Sequence, residues 1–368
     1  MKVALVHDWL STKGGAEKVL EAFIELFPNA DLFTLVDHMP KHKRDFLKNL
    51  NIKTSFLQNV PLSKKYFRHY LPLFPMAVES FDLRGYDLVL SSSYAVSKGV
   101  LTLPNQLHIS YCHSPMRYAW DMYHTYIKEH NIKGVKGAFI KYTLFKIRIW
   151  DVVSSNRVDY FIANSNFVKN RIKKFYKREA KVIYPFADTK RFYFYEKKED
   201  FYLTASRLVP YKKTKLIVEA FNKNGKKLVV IGEGEELKEI KKIAKRNIEV
   251  LGYRDDDSLI YYMQRAKAFV YAALEDFGIV PIEAMSCGTP VICYGEGGVA
   301  ESVIDEKTGV FFKEQSIESI NEAIERFEKM EFSFKNISDY AQKFSKENFK
   351  RDIKLFIEEK MDEFVSGK

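Results

Sequence analysis

The stretch ALEDFGIVPIEAMSCGTPVICYGEGGVAE, residues 273–301, is the most informative one for predicting the fold of the second half of the chain. Apolar runs lie immediately before this stretch (KAFVYA) and inside it (PVICYG), and a segment with helical spacing, opened by Pro281, lies between them. A short apolar strand, a helix and a second strand in succession are typical of a parallel sheet with crossover helices. We predict that Glu275 closes the first strand and that Glu283 lies in the first turn of the helix.

The same alternation extends outward from this stretch. It is carried in the first half by KVALVH, DLFTLV, YDLVLSS, LHISYC and VDYFIAN, and in the second half by FYLTAS, KLVVIG and NIEVLG. A chain of 368 residues also exceeds the size at which one hydrophobic core usually keeps growing. We therefore predict an α/β protein with two Rossmann-like domains, each a doubly wound parallel sheet, facing a central cleft.

Domain boundaries are predicted where this pattern pauses. The run VIYP at residues 182–185 reads as the last strand of the first half, and the charged, aromatic segment 188–200 has the character of a linker. We expect an N-terminal domain at residues 1–185 and a C-terminal domain at 186–337. The remainder, 338–368, is expected to be helical, with one amphipathic helix from about Ser338 to Phe364 that packs back toward the N-terminal domain.

Composition narrows the class of protein. The net charge of +11 should attract polyanions such as phosphate-bearing ligands, anionic lipid or, without specificity, nucleic acid. The most hydrophobic stretch, Phe139–Trp150, is broken by three cations and is too short to span a bilayer, and MKVALVHDWL reads as a first strand rather than a signal peptide. A cytoplasmic location is expected. The cysteines lack CxxC spacing and are expected to be reduced core residues: Cys112, Cys287 and Cys293.

One stretch, Lys41–Tyr70, interleaves basic and aromatic residues. It includes Lys64, Lys65 and Arg68. A solvated surface is one interpretation, and a patch that faces the inner side of the cell membrane is the other.

Two loops carry candidate phosphate-binding groups. Gly14 and Gly15 precede a helix expected to begin near Ala16, where backbone N–H groups could approach an anion, although a plain strand-to-helix turn would look the same. In SRLVPYKKTK, Arg207 closes a strand and Lys212 follows five residues later. Both cations could grip a diphosphate at a strand's carboxyl end, or they could simply be surface charges that flank a proline turn.

The opening stretch offers the most specific pattern. Glu275 and Glu283 are eight residues apart, with Phe277, Gly278 and Ile279 between them. Free N–H groups at the helix start would face phosphate, and Glu283 could accept both hydroxyls of a ribose. A glutamate early in a helix also stabilises the helix dipole in its own right.

These residues resemble glycosyltransferase family 4, retaining enzymes of GT-B fold whose signature is two glutamates separated by seven residues. The resemblance covers nearly the whole chain. It implies that Arg207 and Lys212 bind the donor diphosphate, that Glu283 binds the ribose and that Glu275 contacts hydroxyls of the donor sugar. The segment VLGYRDDDSL resembles the loop that reads the base, with Gly252 and Tyr253 beside it.

The N-terminal half resembles a branch of the family that contains mannosyltransferases of surface-polysaccharide synthesis. The matching segments are YDLVLSSSYAVSKGV, YCHSPMRYAWDMY and FIANSNFVKNRIKKFYKREAKVIYP, and His113 then matches the family's active-site histidine. Taken alone, a histidine after a strand is more often structural, but the position of His113 at a strand end beside Ser114 and Pro115 favours a role in the active site. Arg117, with Lys64, Lys65 and Arg68, is the candidate acceptor-binding set. The motif YPFAD at Tyr184–Asp188 departs from relatives that carry a second proline.

The resemblance implies a transferase that needs no metal or other cofactor and moves mannose from GDP-mannose to a saccharide or lipid-linked saccharide with retention of configuration. A UDP-sugar donor, or a GT-B epimerase, is the alternative. Asp255, Asp256 and Asp257 raise a metal-dependent rival, but they precede a helix that aspartate would cap. The charge alone also suggests a nucleic-acid-binding protein, for which the sequence offers no known motif.

Overall fold

The computed structural model describes residues 1–129 and 131–367. They divide into two compact units. Unit 1 comprises residues 1–183 together with the described residues from 350 onward, and unit 2 comprises Tyr184–Phe349.

Unit 1 contains a seven-stranded parallel sheet with the order β3-β2-β1-β4-β5-β6-β7. Its strands are β1 (Val3–His7), β2 (Asp31–Thr34), β3 (Ile52–Thr54), β4 (Leu88–Ser93), β5 (Leu107–Cys112), β6 (Tyr160–Ala163) and β7 (Ala180–Val182). Its helices are α1 (Gly15–Leu26), α2 (Ser63–Tyr66), α3 (Phe74–Glu79), α4 (Tyr123–Glu129), α5 (Gly134–Ser155) and α6 (Asn166–Tyr176). The order of strands reverses between β1 and β4, so this pair forms the switch point where open parallel sheets bind ligands.

Unit 2 contains a six-stranded parallel sheet with the order β10-β9-β8-β11-β12-β13. Its strands are β8 (Tyr202–Ala205), β9 (Leu228–Ile231), β10 (Ile248–Gly252), β11 (Ala268–Tyr271), β12 (Val291–Tyr294) and β13 (Gly309–Phe312). Its helices are α7 (Thr214–Asn224), α8 (Leu237–Ile243), α9 (Asp256–Arg265), α10 (Ile279–Ser286), α11 (Val299–Ser302), α12 (Ile317–Phe327) and α13 (Phe334–Ala341). Here the switch point lies between β8 and β11.

Burial explains why these short apolar runs become parallel strands. In β11, Phe269 and Tyr271 pack into one hydrophobic cluster, while the alternate residues Ala268 and Val270 pack into another. A strand with apolar side chains on both faces is stable only when helices cover both sides of the sheet. The predicted pair of doubly wound parallel sheets is confirmed.

Two element ends differ from the sequence prediction. Strand β11 ends at Tyr271, so Glu275 lies in the loop beyond the strand rather than closing it. Helix α10 begins at Ile279, two residues before Pro281, and Glu283 is therefore its fifth residue instead of a first-turn residue. Proline is tolerated here because the first N–H groups of a helix have no partner within the helix.

Residues 188–200 do not form the expected linker but pack onto unit 2. Phe192 is buried, and the Lys198 ammonium donates hydrogen bonds to the carbonyl oxygens of Gln264 and Cys287 and to Thr289 Oγ1 at 2.7–3.0 Å. Burial lowers the pKa of Lys198 to about 8. Lys198 is thus a cation that satisfies buried acceptors, whereas Lys190 and Arg191 pair with exposed carboxylates.

The C-terminal region is two helices rather than one. Helix α13 ends at Ala341, a short 3-10 turn covers Gln342–Phe344, and α14 (Lys346–Ser366) begins after the extended residue Ser345. Residues up to Phe349 belong to unit 2, whereas those from 350 onward belong to unit 1. Lys350 of α14 pairs with Glu25 of α1 at 3.0 Å.

In the described part of the chain, no helix combines the length and the apolar character that crossing a bilayer requires. All three cysteines lie in the described part of the chain, where they are buried and not joined in a disulfide, as expected.

Candidate functional site

The switch point of unit 2 holds a buried ion pair. The Lys212 ammonium lies 2.8 Å from Glu275 Oε1 and donates a hydrogen bond of 2.9 Å to the Tyr271 hydroxyl. Only 12% of the Lys212 side chain and 20% of the Glu275 side chain are exposed. The sequence prediction paired Lys212 with Arg207 as a diphosphate grip, and the structure adds that Lys212 is already held by a carboxylate and a phenol.

These contacts keep the lysine charged. Burial by itself lowers the pKa of Lys212, but the interactions with Tyr271 and Glu275 outweigh burial, and the pKa is raised above its ordinary value. The pKa of Tyr271 is also raised, chiefly by burial and by the charge of Glu275. Because Lys212 is already protonated, it can stabilise negative charge that develops on a bound group.

Close backbone contacts fix the loop that carries Glu275. The N–H of Gly298 donates to the Glu275 carbonyl oxygen at 2.8 Å. A Cβ at Gly298 would overlap the carbonyl oxygen of Asp276. A Cβ at Gly297 would lie 2.8 Å from the carbonyl oxygen of Glu275. Glycine at both positions therefore lets the loop after β12 pack directly on the loop after β11.

Arg207 lies two residues beyond β8, at the same edge of the sheet as Lys212. Its guanidinium is exposed and donates a hydrogen bond of 2.8 Å to the Tyr211 hydroxyl. A backbone hydrogen bond fixes the loop after β8: the N–H of Leu208 donates to the Glu233 carbonyl oxygen at 2.8 Å. One cation of the predicted pair is thus exposed and the other is buried.

The start of α10 combines an open backbone with buried side chains. Gly278 is the N-cap with φ +85°, and a Cβ there would lie 2.5 Å from Val299 Cγ2. Phe277 is buried and stacks on Tyr184 with ring centroids 5.4 Å apart. The Phe277 side chain therefore belongs to the core, and only its backbone can face a ligand. Glu283 is buried within α10.

The loop after β10 carries the residues predicted to lie beside a base. Gly252 ends the strand with φ +73°, and Tyr253 is 64% exposed. Asp255 is the N-cap of α9 and accepts a hydrogen bond of 2.9 Å from the N–H of Ser258, as the sequence predicted. Asp256 and Asp257 both pair with Arg191. Among the described residues, no cluster of three or more metal-binding side chains is found.

The switch point of unit 1 holds a chain of buried polar side chains. Ser92 Oγ bonds to Nδ1 of His7 at 3.1 Å and to Nε2 of His113 at 2.9 Å. A hydroxyl has one proton to donate, so Ser92 accepts from one of the two rings and donates to the other. The other side of the His7 ring faces Glu17, with Nε2 3.5 Å from Oε1.

The two ends of this chain of side chains, His113 and Glu17, differ in charge state. Burial, assisted by His7, lowers the pKa of His113 to about 3, so its imidazole is neutral near pH 7. Burial alone raises the pKa of Glu17, but hydrogen bonds from His7 and the Gly14 N–H outweigh burial and lower the pKa. His113 also packs against Tyr111 at a centroid distance of 5.1 Å.

The glycines after β1 belong to the same region. Gly14 is the N-cap of α1, which begins at Gly15, and the Gly14 N–H donates to Glu17 Oε2 at 2.8 Å. One backbone donor of the expected anion-binding turn is therefore already used by a carboxylate of the protein.

Asp8 organises the adjacent loop. Its buried carboxylate accepts four hydrogen bonds of 2.6–2.9 Å from the consecutive backbone N–H groups of residues 94–97. Sequence analysis did not single out Asp8, His7, Glu17 or Ser92. The available signal was that His7 is the last residue of β1, Asp8 follows it and Ser92 is the penultimate residue of β4. Side chains at the carboxyl ends of switch-point strands converge.

The candidate acceptor residues lie in two places within unit 1. Arg117 is half-buried in the loop after β5. Lys64, Lys65 and Arg68 are exposed in α2 and the 3-10 turn that follows it, where Arg68 covers the ring of Phe67.

Comparisons with known proteins identify the family of both halves of the chain. The family model for "Glycosyltransferase Family 4" matches residues 13–191, and the model for "Glycosyl transferases group 1" matches residues 186–347. An uncharacterized glycosyltransferase of Methanocaldococcus jannaschii is 27% identical over 80% of this chain and 81% of its own length. An alpha-1,3/1,6-mannosyltransferase of Candida glabrata is 23% identical over 83% of this chain and 78% of its own. The structure of Anabaena HepE in complex with UDP-glucose is similar over 98% of this chain and 100% of that one, with a TM-score of 0.68 at 19% identity.

Proposed function

Because this chain is a glycosyltransferase of family 4, with the GT-B fold, we propose that it transfers mannose from GDP-mannose to a saccharide or lipid-linked saccharide. The proposed transfer retains the anomeric configuration and needs no metal ion. The observation that carries the proposal is the Lys212–Glu275 ion pair at the switch point of unit 2.

The donor nucleotide is assigned to unit 2. Arg207 and Lys212 bind the diphosphate, assisted by backbone N–H groups around Gly278 and Ile279. When phosphate oxygens approach, Lys212 can exchange part of its interaction with Glu275 for them, which leaves Glu275 able to accept hydrogen bonds from hydroxyls of the sugar.

The rest of the nucleotide contacts neighbouring loops of unit 2. We assign Glu283 to the ribose hydroxyls and the loop at Gly252 and Tyr253 to the base. Phe277 supports this region through its backbone and its packing on Tyr184.

In unit 1, we assign roles to His113 and to the glycines at the start of α1. His113 is neutral, so it can donate or accept a hydrogen bond with a sugar hydroxyl without adding charge. Gly14 and Gly15 lie at the start of α1, where the helix dipole favours a negatively charged group. No nucleophilic side chain is required if the departing phosphate takes the proton from the hydroxyl of the acceptor. The fixed cations then stabilise the negative charge on the phosphate.

The choice of mannose is supported by the mannosyltransferase of Candida glabrata, which aligns with most of this chain. A UDP-sugar donor is the alternative, with the same residues in the same roles. For the acceptor, we propose that Arg117, Lys64, Lys65 and Arg68 interact with a saccharide or with the anionic part of a lipid carrier.

Thermal unfolding with GDP, GDP-mannose, UDP and UDP-glucose tests the donor assignment. A ligand that binds only the folded chain stabilises it by about 2.7 kcal/mol at a hundredfold excess over its dissociation constant. We expect the unfolding midpoint to rise with GDP and GDP-mannose. A rise with UDP compounds alone would overturn the mannosyl assignment, and no rise with any of them would overturn the donor site itself.

Two further measurements test the mechanism. Turnover of GDP-mannose in excess EDTA is expected to equal turnover without EDTA, and complete loss would contradict metal independence. The anomeric configuration of the product, determined by NMR, is expected to match that of the donor.

A further inference from the structure

Helix α5 is apolar on two opposite faces. One face is buried and includes Leu144 and Ile147. The opposite face carries a row of exposed apolar side chains, which we name the α5 stripe: Val135, Phe139, Tyr142, Phe145, Ile149 and Val153.

The stripe is continuous along the helix. Its members follow one another at intervals of three or four residues, which places them one above the other on a single face. From Val135 to Val153 the stripe is about 27 Å long at the helical rise of 1.5 Å per residue.

Exposure on this scale is unusual for a surface helix. The six side chains are between 48% and 90% exposed. Single exposed apolar residues are ordinary, but a contiguous apolar row marks a surface that another apolar phase covers.

The charges around the stripe are positive. Lys136, Lys141 and Lys146 are exposed on the same helix. The single acidic residue in the sequence of α5, Asp151, is buried and paired with Lys98. The exposed side of α5 is therefore an apolar row with lysines in and beside it.

This charge pattern selects the occupant. A second copy of the chain packed on the stripe about a two-fold axis would bring lysines against lysines. An anionic bilayer surface satisfies both features, because headgroups pair with lysines while the apolar side chains enter the acyl boundary. We propose that the α5 stripe docks this protein on an anionic phospholipid membrane, with α5 lying in the plane of the interface.

The proposal is independent of the donor and of catalysis. It also differs from the sequence analysis, in which Lys41–Tyr70 was interpreted either as a solvated surface or as a patch that faces the membrane. In that stretch three apolar residues are exposed: Phe56 lies in a 3-10 turn, and Leu62 and Tyr66 are the N-cap and the last residue of the four-residue helix α2. They do not form a continuous row.

Flotation of the full chain with vesicles tests the proposal. The probe is a vesicle of phosphatidylglycerol mixed with phosphatidylcholine, and pure phosphatidylcholine is the reference. The double variant Phe139→Ser, Phe145→Ser is expected to weaken binding at least about tenfold, because two large apolar side chains no longer enter the lipid. The matched control, Leu355→Ser with Val365→Ser, removes exposed apolar residues of α14 and is expected to bind like wild type.

The cationic contribution has its own variant. Lys136→Gln, Lys141→Gln and Lys146→Gln together are expected to weaken binding to the anionic vesicles by about fivefold per lysine. The triple variant Lys64→Gln, Lys65→Gln, Arg68→Gln reports on the other basic stretch and is expected to retain most of the affinity.

A label distinguishes insertion from adsorption. The native cysteines are buried, so Val153→Cys can be labelled selectively with an environment-sensitive dye. Its emission should shift to the blue with anionic vesicles, while a dye at Leu355→Cys should not respond. The proposal is overturned by any of three results: no flotation of wild type, full binding by the stripe variant, or a dimer in sedimentation that dissociates when the stripe is substituted.

Discussion

Replacing Lys212 with methionine removes the ammonium group while keeping a side chain of similar length. The change deprives Glu275 Oε1 of the cation 2.8 Å away and deprives the Tyr271 hydroxyl of its donor. Loss of one partner from a fully buried pair costs about 3–5 kcal/mol. Because 12% and 20% of these side chains are exposed, we expect a smaller cost of about 2–3 kcal/mol in stability.

The effect on catalysis should be larger than stability alone explains. Removing one preorganised group that stabilises transition-state charge lowers turnover by about 100- to 1000-fold. For a unit of this size, a loss of about 2–3 kcal/mol lowers the unfolding midpoint by roughly 4–12 °C. Turnover at saturating donor should therefore be measured well below that midpoint, where the variant remains folded.

The neighbouring exposed residue offers a matched control. Lys213→Met makes the same chemical change one position away and should leave turnover and the unfolding midpoint close to wild type. If folded Lys212→Met protein turned over donor within about threefold of wild type, the assignment of Lys212 to the diphosphate would be refuted. A loss of equal size in both variants would refute it as well, since position would then not matter.

Three further predictions follow from buried groups. Burial lowers the pKa of His108 from 6.5 to about 4. Between these two pH values the histidine is protonated in the unfolded chain but not in the folded chain, so the free energy of unfolding should fall as the pH falls from 6.5 to about 4. His108→Gln should reduce that loss by about 3 kcal/mol in urea titrations from pH 7 to 4. Gly298→Ala should raise the Michaelis constant for the donor, because its Cβ overlaps the Asp276 carbonyl, and unchanged donor kinetics would contradict this. Asp8→Asn should lower the free energy of unfolding by about 2 kcal/mol, since one amide oxygen cannot accept the four hydrogen bonds of the carboxylate, and a wild-type denaturation curve would contradict it.

Both sheets could be predicted because their strands are buried on both faces. Runs such as LHISYC and KAFVYA are mainly apolar segments of strand length, and all six residues of β5 are buried. The end points of elements were harder. Glu275 lies beyond β11 because the loop after the strand must cover Gly297 and Gly298, which are more than 20 residues away in sequence. Local periodicity carries no information about such a contact.

More of the site in unit 2 than of the site in unit 1 could be predicted. The reason is again that local sequence patterns carry no information about contacts between distant residues. In unit 2, Lys212 and Glu275 are found within short motifs, although their ion pair was not foreseen. In unit 1, His7 and Ser92 are 85 residues apart and meet only because β1 and β4 pair in register. His113 was recognised through a motif, but its neutral state depends on burial and on His7, which is distant in sequence.

The common topology of the units explains why polar groups gather where they do, and burial explains why the two sites carry different charge. Each unit reverses its strand order beside its first strand, so the loops after that strand and its later neighbour meet at one edge. At this edge in unit 2, Glu275 compensates the burial of Lys212 and the cation persists. In unit 1, the ionised Glu17 lies on the far side of His7 from His113, so burial dominates and the His113 imidazole stays neutral. The same topology therefore places a cation at the sheet edge of unit 2 and an uncharged hydrogen-bonding ring at the sheet edge of unit 1. We expect neither group to change its charge between about pH 5 and 8, the interval in which an unperturbed histidine titrates.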